Sequence, residues 1–307
     1  MTDQTKSNIT VIILTFNEEQ HIARCIELAK KYSDDIYVVD SFSTDKTVEI
    51  AKSLNVFVLQ NKFISHGEQV SWALENIDFK TEWILRLDAD EYLEEDLILE
   101  IKNKLPKLSN DIGGINLKRK VIFMNKWIKY GGRYPVIIIR LWKKGHGQME
   151  YNYQDEHLFI KKGRTVTFKN NFCDHNLKNL SSFVQKHDWY AGREALDIIL
   201  NDLKKRPEML NRKNTSLNIS VKRFLKKNFY NKLPVGRRSL LYFIYRYFIL
   251  LGFLDGKEGL IYHFLQGFWY RSLVDIKLIE YRKEIKNIEN YDEIIKKLSS
   301  MSNIKLK

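Results

Sequence analysis

Two aspartates one residue apart, Asp88 and Asp90, end the apolar run Trp83-Ile84-Leu85-Arg86-Leu87. Alternate side chains of an extended chain share a face, so both carboxylates reach toward one point at the C-terminal end of a buried strand. Hard carboxylate oxygens suit Mg²⁺ or Mn²⁺, and such an ion keeps some of its waters and takes substrate phosphates as further ligands. Similar polar clusters close two earlier apolar runs. Thr15-Phe16-Asn17-Glu18-Glu19 follows Ile9 to Leu14, and Asp40-Ser41-Phe42-Ser43-Thr44-Asp45 follows Ile36 to Val39.

The elements that must position these residues alternate in type. Ile9–Leu14, Ile36–Val39, Val56–Leu59 and Ile84–Leu87 read as strands. Helical spacing joins Ile22, Cys25, Ile26 and Ala29, restarts at Thr47, Ile50 and Ala51, and returns around Val70–Leu74. This alternation predicts right-handed βαβ crossovers and a mostly parallel sheet, with ligands beyond the carboxyl ends of its strands. All three polar clusters fall on that rim. No G-x-G-x-x-G or G-x-x-x-x-G-K accompanies them, which argues against a dinucleotide enzyme or a P-loop nucleotidase. Asn17 and Asp45 each precede a helical pattern and suit N-caps as well as ligand contacts. Residues 93–112 read as a helix with an acidic first turn. Gly114–Phe123 and Val136–Leu141 read as strands joined through Gly131-Gly132-Arg133-Tyr134-Pro135.

A chain of 307 residues, 44% of them hydrophobic, accommodates one large domain and an appendage. Its two cysteines, Cys25 and Cys173, form neither a disulfide framework nor a zinc spacing, which fits a reducing compartment. Met1 to Asn8 holds no apolar h-region, so a cytoplasmic protein is expected. The net charge of +13 accumulates beyond Glu100, in runs such as Lys118-Arg119-Lys120, Lys204-Lys205-Arg206 and Lys222-Arg223. Such asymmetry points to a polyanion, nucleic acid or an anionic membrane surface, or else to a solvated basic face. The apolar run Leu240–Leu254 holds one arginine, Arg246, and follows Arg237-Arg238. It is shorter than the roughly 20 residues of a spanning helix. A helix lying in the membrane interface is expected, the alternative being a helix packed on the catalytic part or on a second copy in a homo-oligomer.

Thr15-Phe16-Asn17-Glu18-Glu19, the block from Val38 to Thr47, and Leu87-Asp88-Ala89-Asp90-Glu91 resemble the motifs of family 2 glycosyltransferases. Within that family the chain is similar to the bacterial branch that builds lipopolysaccharide core and capsule sugars. The resemblance implies an α/β GT-A fold, Rossmann-like with flanking helices. The catalytic domain would span 1–200, with a nucleotide-sugar half (1–112) and an acceptor half (113–200), and a helical region would follow at 201–307. It further implies an inverting transferase that takes a nucleotide-diphosphate sugar, UDP by default, to a glycan or lipid-linked saccharide. In that reading Asp40 accepts from the base's imide N–H. Thr15, Asn17 and Glu18 line the base and ribose, Asp45 lies on the same side, and Asp88 faces the ribose or the metal. Asp90 ligates the Mn²⁺ or Mg²⁺ that bridges the diphosphate. Gln69-Val70-Ser71 keeps only the first residue of the related Gln-Lys-Asn, so Gln69 alone carries over to the donor site.

An inverting transferase also needs a base for the acceptor hydroxyl. Tyr153-Gln154-Asp155-Glu156-His157 resembles the family's acidic element, and Asp155, ahead of Glu156, is the expected base. Adjacent side chains on an extended segment point opposite ways, so one of the two faces the acceptor. His175, in Phe172-Cys173-Asp174-His175-Asn176, would complete the metal site. In Lys186-His187-Asp188-Trp189-Tyr190-Ala191-Gly192-Arg193, Lys186, His187 or Arg193 would clamp the diphosphate. Arg140-Leu141-Trp142 looks like the family's R-L-x strand, and Trp127 and Trp142 are either sugar platforms or core residues. Two other classes compete. A sugar-phosphate nucleotidyltransferase would show a glycine-rich basic loop where this chain has an acidic one. A nucleic-acid-binding protein would not interleave its cations with an apolar tail, so no nucleic-acid partner is expected.

Overall fold

A strand buried at every position must lie inside a sheet with both faces covered, and Ile9–Thr15 (β1) is such a strand. In the computed structural model, which describes residues 8–149, 157–204 and 236–302, β1 pairs in parallel with β2 (Asp35–Asp40) on one side and β4 (Trp83–Asp88) on the other. β3 (Phe57–Gln60) extends the sheet outside β2. Beyond β4 the sheet turns mixed. β8 (Val136–Lys143), β6 (Ile112–Phe123), β11 (Arg164–His175) and β5 (Glu91–Leu93) complete the order β3-β2-β1-β4-β8-β6-β11-β5, and β7 (Lys126–Ile128) pairs with β6. β9 (Gly147–Met149) and β10 (Leu158–Ile160) form a separate ribbon. The chain leaves β1 for β2 on one side and reaches β4 on the other, so the gap between the β1 and β4 ends is a topological switch point where ligands bind.

The alternation along β1 divides the core. Ile9, Val11 and Ile13 face α1 (Ile22–Ala29) and α4 (Glu95–Lys104), whereas Ile12 and Leu14 face α3 (His66–Asn76) through Val70 and Ala73. α2 (Thr47–Ser53) follows β2 and buries Thr47 and Ala51. Trp142 belongs to the second core, 1% exposed, and a Cβ added to Gly147 would lie 2.6 Å from its ring. Trp142 is therefore a packed residue and not a sugar platform. The helix expected over 93–112 is shorter, because Pro106 turns the chain through Leu105–Lys107 into β6.

Contacts divide the chain into one unit ending at Asn179 and another starting at Leu180. The division expected at 200/201 lies at the far end of α5 (Leu180–Lys204), whose Ala191 packs against Tyr270 and Val274 of α8 (Tyr270–Ile285). Glu194 of α5 accepts hydrogen bonds from Tyr270 Oη at 2.7 Å and Arg271 Nη1 at 2.6 Å. The second unit also contains α6 (Arg237–Ile244), α7 (Gly256–His263) and α9 (Tyr291–Ser302). The apolar run 240–254 is not one helix. After a π turn at Tyr245–Ile249 the backbone enters the left-handed region at Leu251 (φ 59°), and a 3-10 turn, Gly252–Asp255, leads into α7. No single helix among the described residues is long and apolar enough to cross a membrane, and the segments on either side of this break are bent by 72°.

Candidate active site

Polar side chains at the ends of β1, β2 and β3 converge on the Asp40 carboxylate, which is fully buried. Its Oδ1 accepts from Thr15 Oγ1 at 3.0 Å and from Ser43 Oγ, and its Oδ2 accepts from Ser43 N at 2.9 Å and Gln60 Nε2 at 3.0 Å. Four donors fill the roughly four lone-pair sites of a carboxylate. The expected contact to an imide N–H would have to displace one of them. Gln69, also buried, holds the neighbouring strand ends together. Its Nε2 donates to Ser41 Oγ (3.1 Å) and Asn61 O (3.2 Å), and its Oε1 accepts from Asn61 Nδ2 (2.9 Å). In this arrangement Gln69 braces the rim from within.

The β1 and β2 loops are stitched to each other. Asn17 adopts φ 53°, a region that asparagine tolerates, and its Oδ1 accepts from Thr44 N at 2.8 Å. Asp45 accepts from Thr47 N and from Glu19 N at 3.2 Å. Partial burial pushes the Asp45 carboxyl up, but the Thr47 and Glu19 hydrogen bonds and Lys178 outweigh it and hold it below the ordinary range. Leu177 N donates to His21 Nε2 at 2.7 Å, which leaves the ring proton on Nδ1, 2.6 Å from Glu18 Oε2. Lys178 Nζ lies 2.9 Å from Glu18 Oε1 and donates to Asn17 O at 2.7 Å. Phe16 and Phe42 stand outward on the same two loops, 56% and 54% exposed.

At the end of β4 the two expected metal carboxylates differ. Asp88 is engaged by two guanidiniums, Arg86 Nη2 at 2.5 Å and Arg140 Nη2 at 3.2 Å. Arg140 also pairs with buried Glu91, whose Oε2 accepts from Asp88 N at 3.0 Å. Burial raises the Glu91 carboxyl to about 7, opposed by Arg140 and Arg86 and reinforced by Asp88 and Asp174. Asp90 lies in the turn that follows. Its Oδ2 accepts from Asn176 Nδ2 at 3.0 Å, and its Oδ1 takes no hydrogen bond from the described residues. Asp90 is thereby the rim aspartate with an open oxygen, whereas both oxygens of Asp88 are engaged by arginines.

His175 adjoins Asp90, its N–H donating to Asp90 O at 2.9 Å. Its Nδ1 is 3.3 Å from Arg24 Nη1, and its Nε2 is 3.4 Å from Asn125 Oδ1. Partial burial, then Arg24 and His21, lower its pKa against the opposing pull of Asp90. A cation on Nδ1 would meet the Arg24 guanidinium, which leaves Nε2 as the ring nitrogen for the expected ligand role. Among the described residues no three His, Cys, Asp or Glu side chains gather into a metal cage. A single open carboxylate oxygen still fits Mg²⁺ or Mn²⁺, which take much of their shell from phosphates and water.

The β1, β2 and β4 ends of this rim lie within a matched region. Residues 10–169 match glycosyl transferase family 2. The chain belongs to that family. An uncharacterized glycosyltransferase of Rickettsia bellii (strain RML369-C) is 30% identical over 212 residues, covering 65% of this chain and 70% of the relative. The lipopolysaccharide core biosynthesis glycosyltransferase LpsC of Rhizobium meliloti (strain 1021) is 28% identical over 120 residues, 38% of this chain and 43% of LpsC. A solved structure of the mannosyltransferase PcManGT from Pyrobaculum calidifontis, in complex with GDP-Man and Mn²⁺, superposes with a TM-score of 0.52 at 12% identity, covering 90% of this chain and 88% of that one. The last likeness is one of fold, and the fold is GT-A.

Asp155 and Glu156 fall outside the described residues. Lys186 and Arg193 lie on α5 in the second unit. Lys186 Nζ sits 5.8 Å from the Tyr190 ring centroid, and the buried Arg193 stacks 4.5 Å over Trp189. His187 stacks on Phe183 at 3.9 Å. Trp127 packs edge-on to Tyr134 at 4.9 Å, with Lys120 and Lys129 against its ring.

Proposed function

We propose that the chain transfers a sugar from a nucleotide-diphosphate donor, UDP-linked in the first instance, to a glycan or lipid-linked saccharide in bacterial surface polysaccharide synthesis. The transfer inverts the anomeric centre. The open Oδ1 of Asp90 at the switch point carries this reading, since among the rim aspartates it is the one not consumed by protein donors. Mn²⁺ or Mg²⁺, held through Asp90 and the donor's phosphates, would neutralise charge on the departing diphosphate. The chain's own residues do the rest. Asn176 orients Asp90, and Asp40 and Asn17 hold the β1 and β2 loops as one wall for the nucleoside. The exposed rings of Phe16 and Phe42 offer planar faces to a base. Asp155, or Glu156 in its place, takes the acceptor's proton.

The likeness to LpsC supports a lipopolysaccharide acceptor, and the reducing-compartment composition supports work on the cytoplasmic side. A panel of UDP- and GDP-sugars screened for thermal stabilisation with Mn²⁺ tests the donor class. At least one nucleotide sugar should raise the melting temperature in a metal-dependent way, and no stabilisation by any of them contradicts the reading. Asp155→Asn and Glu156→Gln test the base: transfer at wild-type rate by both variants removes that assignment.

A further inference from the structure

A helix of a water-soluble unit turns its apolar side chains inward and its polar ones outward. The stretch Arg237–Ile249 does the reverse. Leu240, Leu241, Ile244, Tyr245, Phe248 and Ile249, at helical spacings of three and four, are exposed, Ile249 by 67%, whereas Ser239 and Arg246 are buried. Specific partners hold the polar side inward. Ser239 Oγ donates to Gly236 O at 3.0 Å and lies 2.8 Å from Ser272 Oγ. Arg238 forms a two-pronged pair with the buried Asp275, and the Arg246 guanidinium lies 5.6 Å from the Tyr242 ring centroid. The apolar face continues beyond the break at Leu251 and Leu254, while Asp255 is buried. The fully charged side chains exposed along it, Arg237 and Lys257, are basic.

A continuous exposed apolar tract of this kind marks an interaction surface. We propose that it lies in the headgroup and upper acyl region of a bilayer carrying anionic lipids, along the membrane and not across it. The 72° bend excludes a straight span, and tyrosine and phenylalanine among aliphatic side chains suit the interfacial zone. The charge at the margins selects the bilayer over a second copy. A twofold contact would set the face against itself and bring basic margins, Arg237 and Lys257, against basic margins, whereas anionic headgroups offer the opposite sign. The inference stands apart from the donor-site reading, since its readout is partitioning and not transfer.

The test is flotation of the full chain with phosphatidylcholine vesicles, with and without phosphatidylglycerol, and light scattering of the protein alone. Two variants read the face on either side of the break: Phe248→Ser with Ile249→Ser, and Leu254→Ser. Wild-type protein should float with the phosphatidylglycerol vesicles and less with neutral ones. The double variant should partition about tenfold more weakly at an unchanged melting temperature, and Leu254→Ser should weaken it in the same direction. Failure of the wild type to float, or equal flotation of all variants, overturns the proposal. So does a dimer that the variants dissociate in the absence of flotation, which would make the face a contact between copies.

Discussion

Asp88 and Asp90 look equivalent in sequence, yet they carry different loads. Removing Arg140 would leave Glu91 buried without its cation and Asp88 with one guanidinium fewer. Arg140→Met should therefore cost about 3–5 kcal/mol above pH 7, where Glu91 is ionised, the range for breaking a buried pair from one side, as read by urea denaturation. Glu91 adds a pH signature. Its folded pKa of about 7 stands above its ordinary value of 4.5, so between those values the folded state holds a proton that the unfolded chain has released. Stability from this group is full below about 4.5 and falls as pH rises toward 7. Glu91→Gln should flatten that slope in urea midpoints taken across the window, and a slope unchanged from wild type would contradict the assignment. Asn176 acts through Asp90. Asn176→Ala should raise the Mn²⁺ concentration needed for half-maximal rate by about tenfold, the lower end for lost support behind a metal ligand, without lowering the melting temperature by more than a few degrees.

At the scale of elements, the polar clusters at the ends of β1, β2 and β4 were legible because each is local: an apolar run stops and carboxylates or hydroxyls begin. The parallel half of the sheet followed from alternation, and the hydrophobic spacing of α1 appears in the structure as its buried face. What stayed hidden was pairing over distance. Lys178 reaches Asn17 across 161 positions and Arg140 reaches Glu91 across 49, and no local pattern marks either. Gln69 illustrates the same limit, since its position resembles a donor contact while its amide joins α3 to the ends of β2 and β3. Gln69→Leu should lower stability by about 1–3 kcal/mol by leaving buried polar partners unsatisfied, measurable in chemical denaturation. The run 240–254 misled as a single helix because composition does not reveal the left-handed turn at Leu251.

Across the whole molecule, a GT-A unit with a metal-capable rim is followed by a helical unit in which the stretch Arg237–Ile249 turns apolar side chains outward. The basic excess accumulates in the sequence beyond Glu100, and two of its members, Arg140 and Lys178, pair with Asp88 and Glu18 at the rim. The account depends most on the open oxygen of Asp90. Titration calorimetry of UDP and GDP into the wild type and Asp90→Ala, each with and without Mn²⁺, tests it most directly. Wild type should bind one of the nucleotides at least about tenfold more tightly with Mn²⁺, and Asp90→Ala should lose that enhancement while keeping its fold. Mn²⁺-enhanced binding of the same strength in Asp90→Ala would contradict the account.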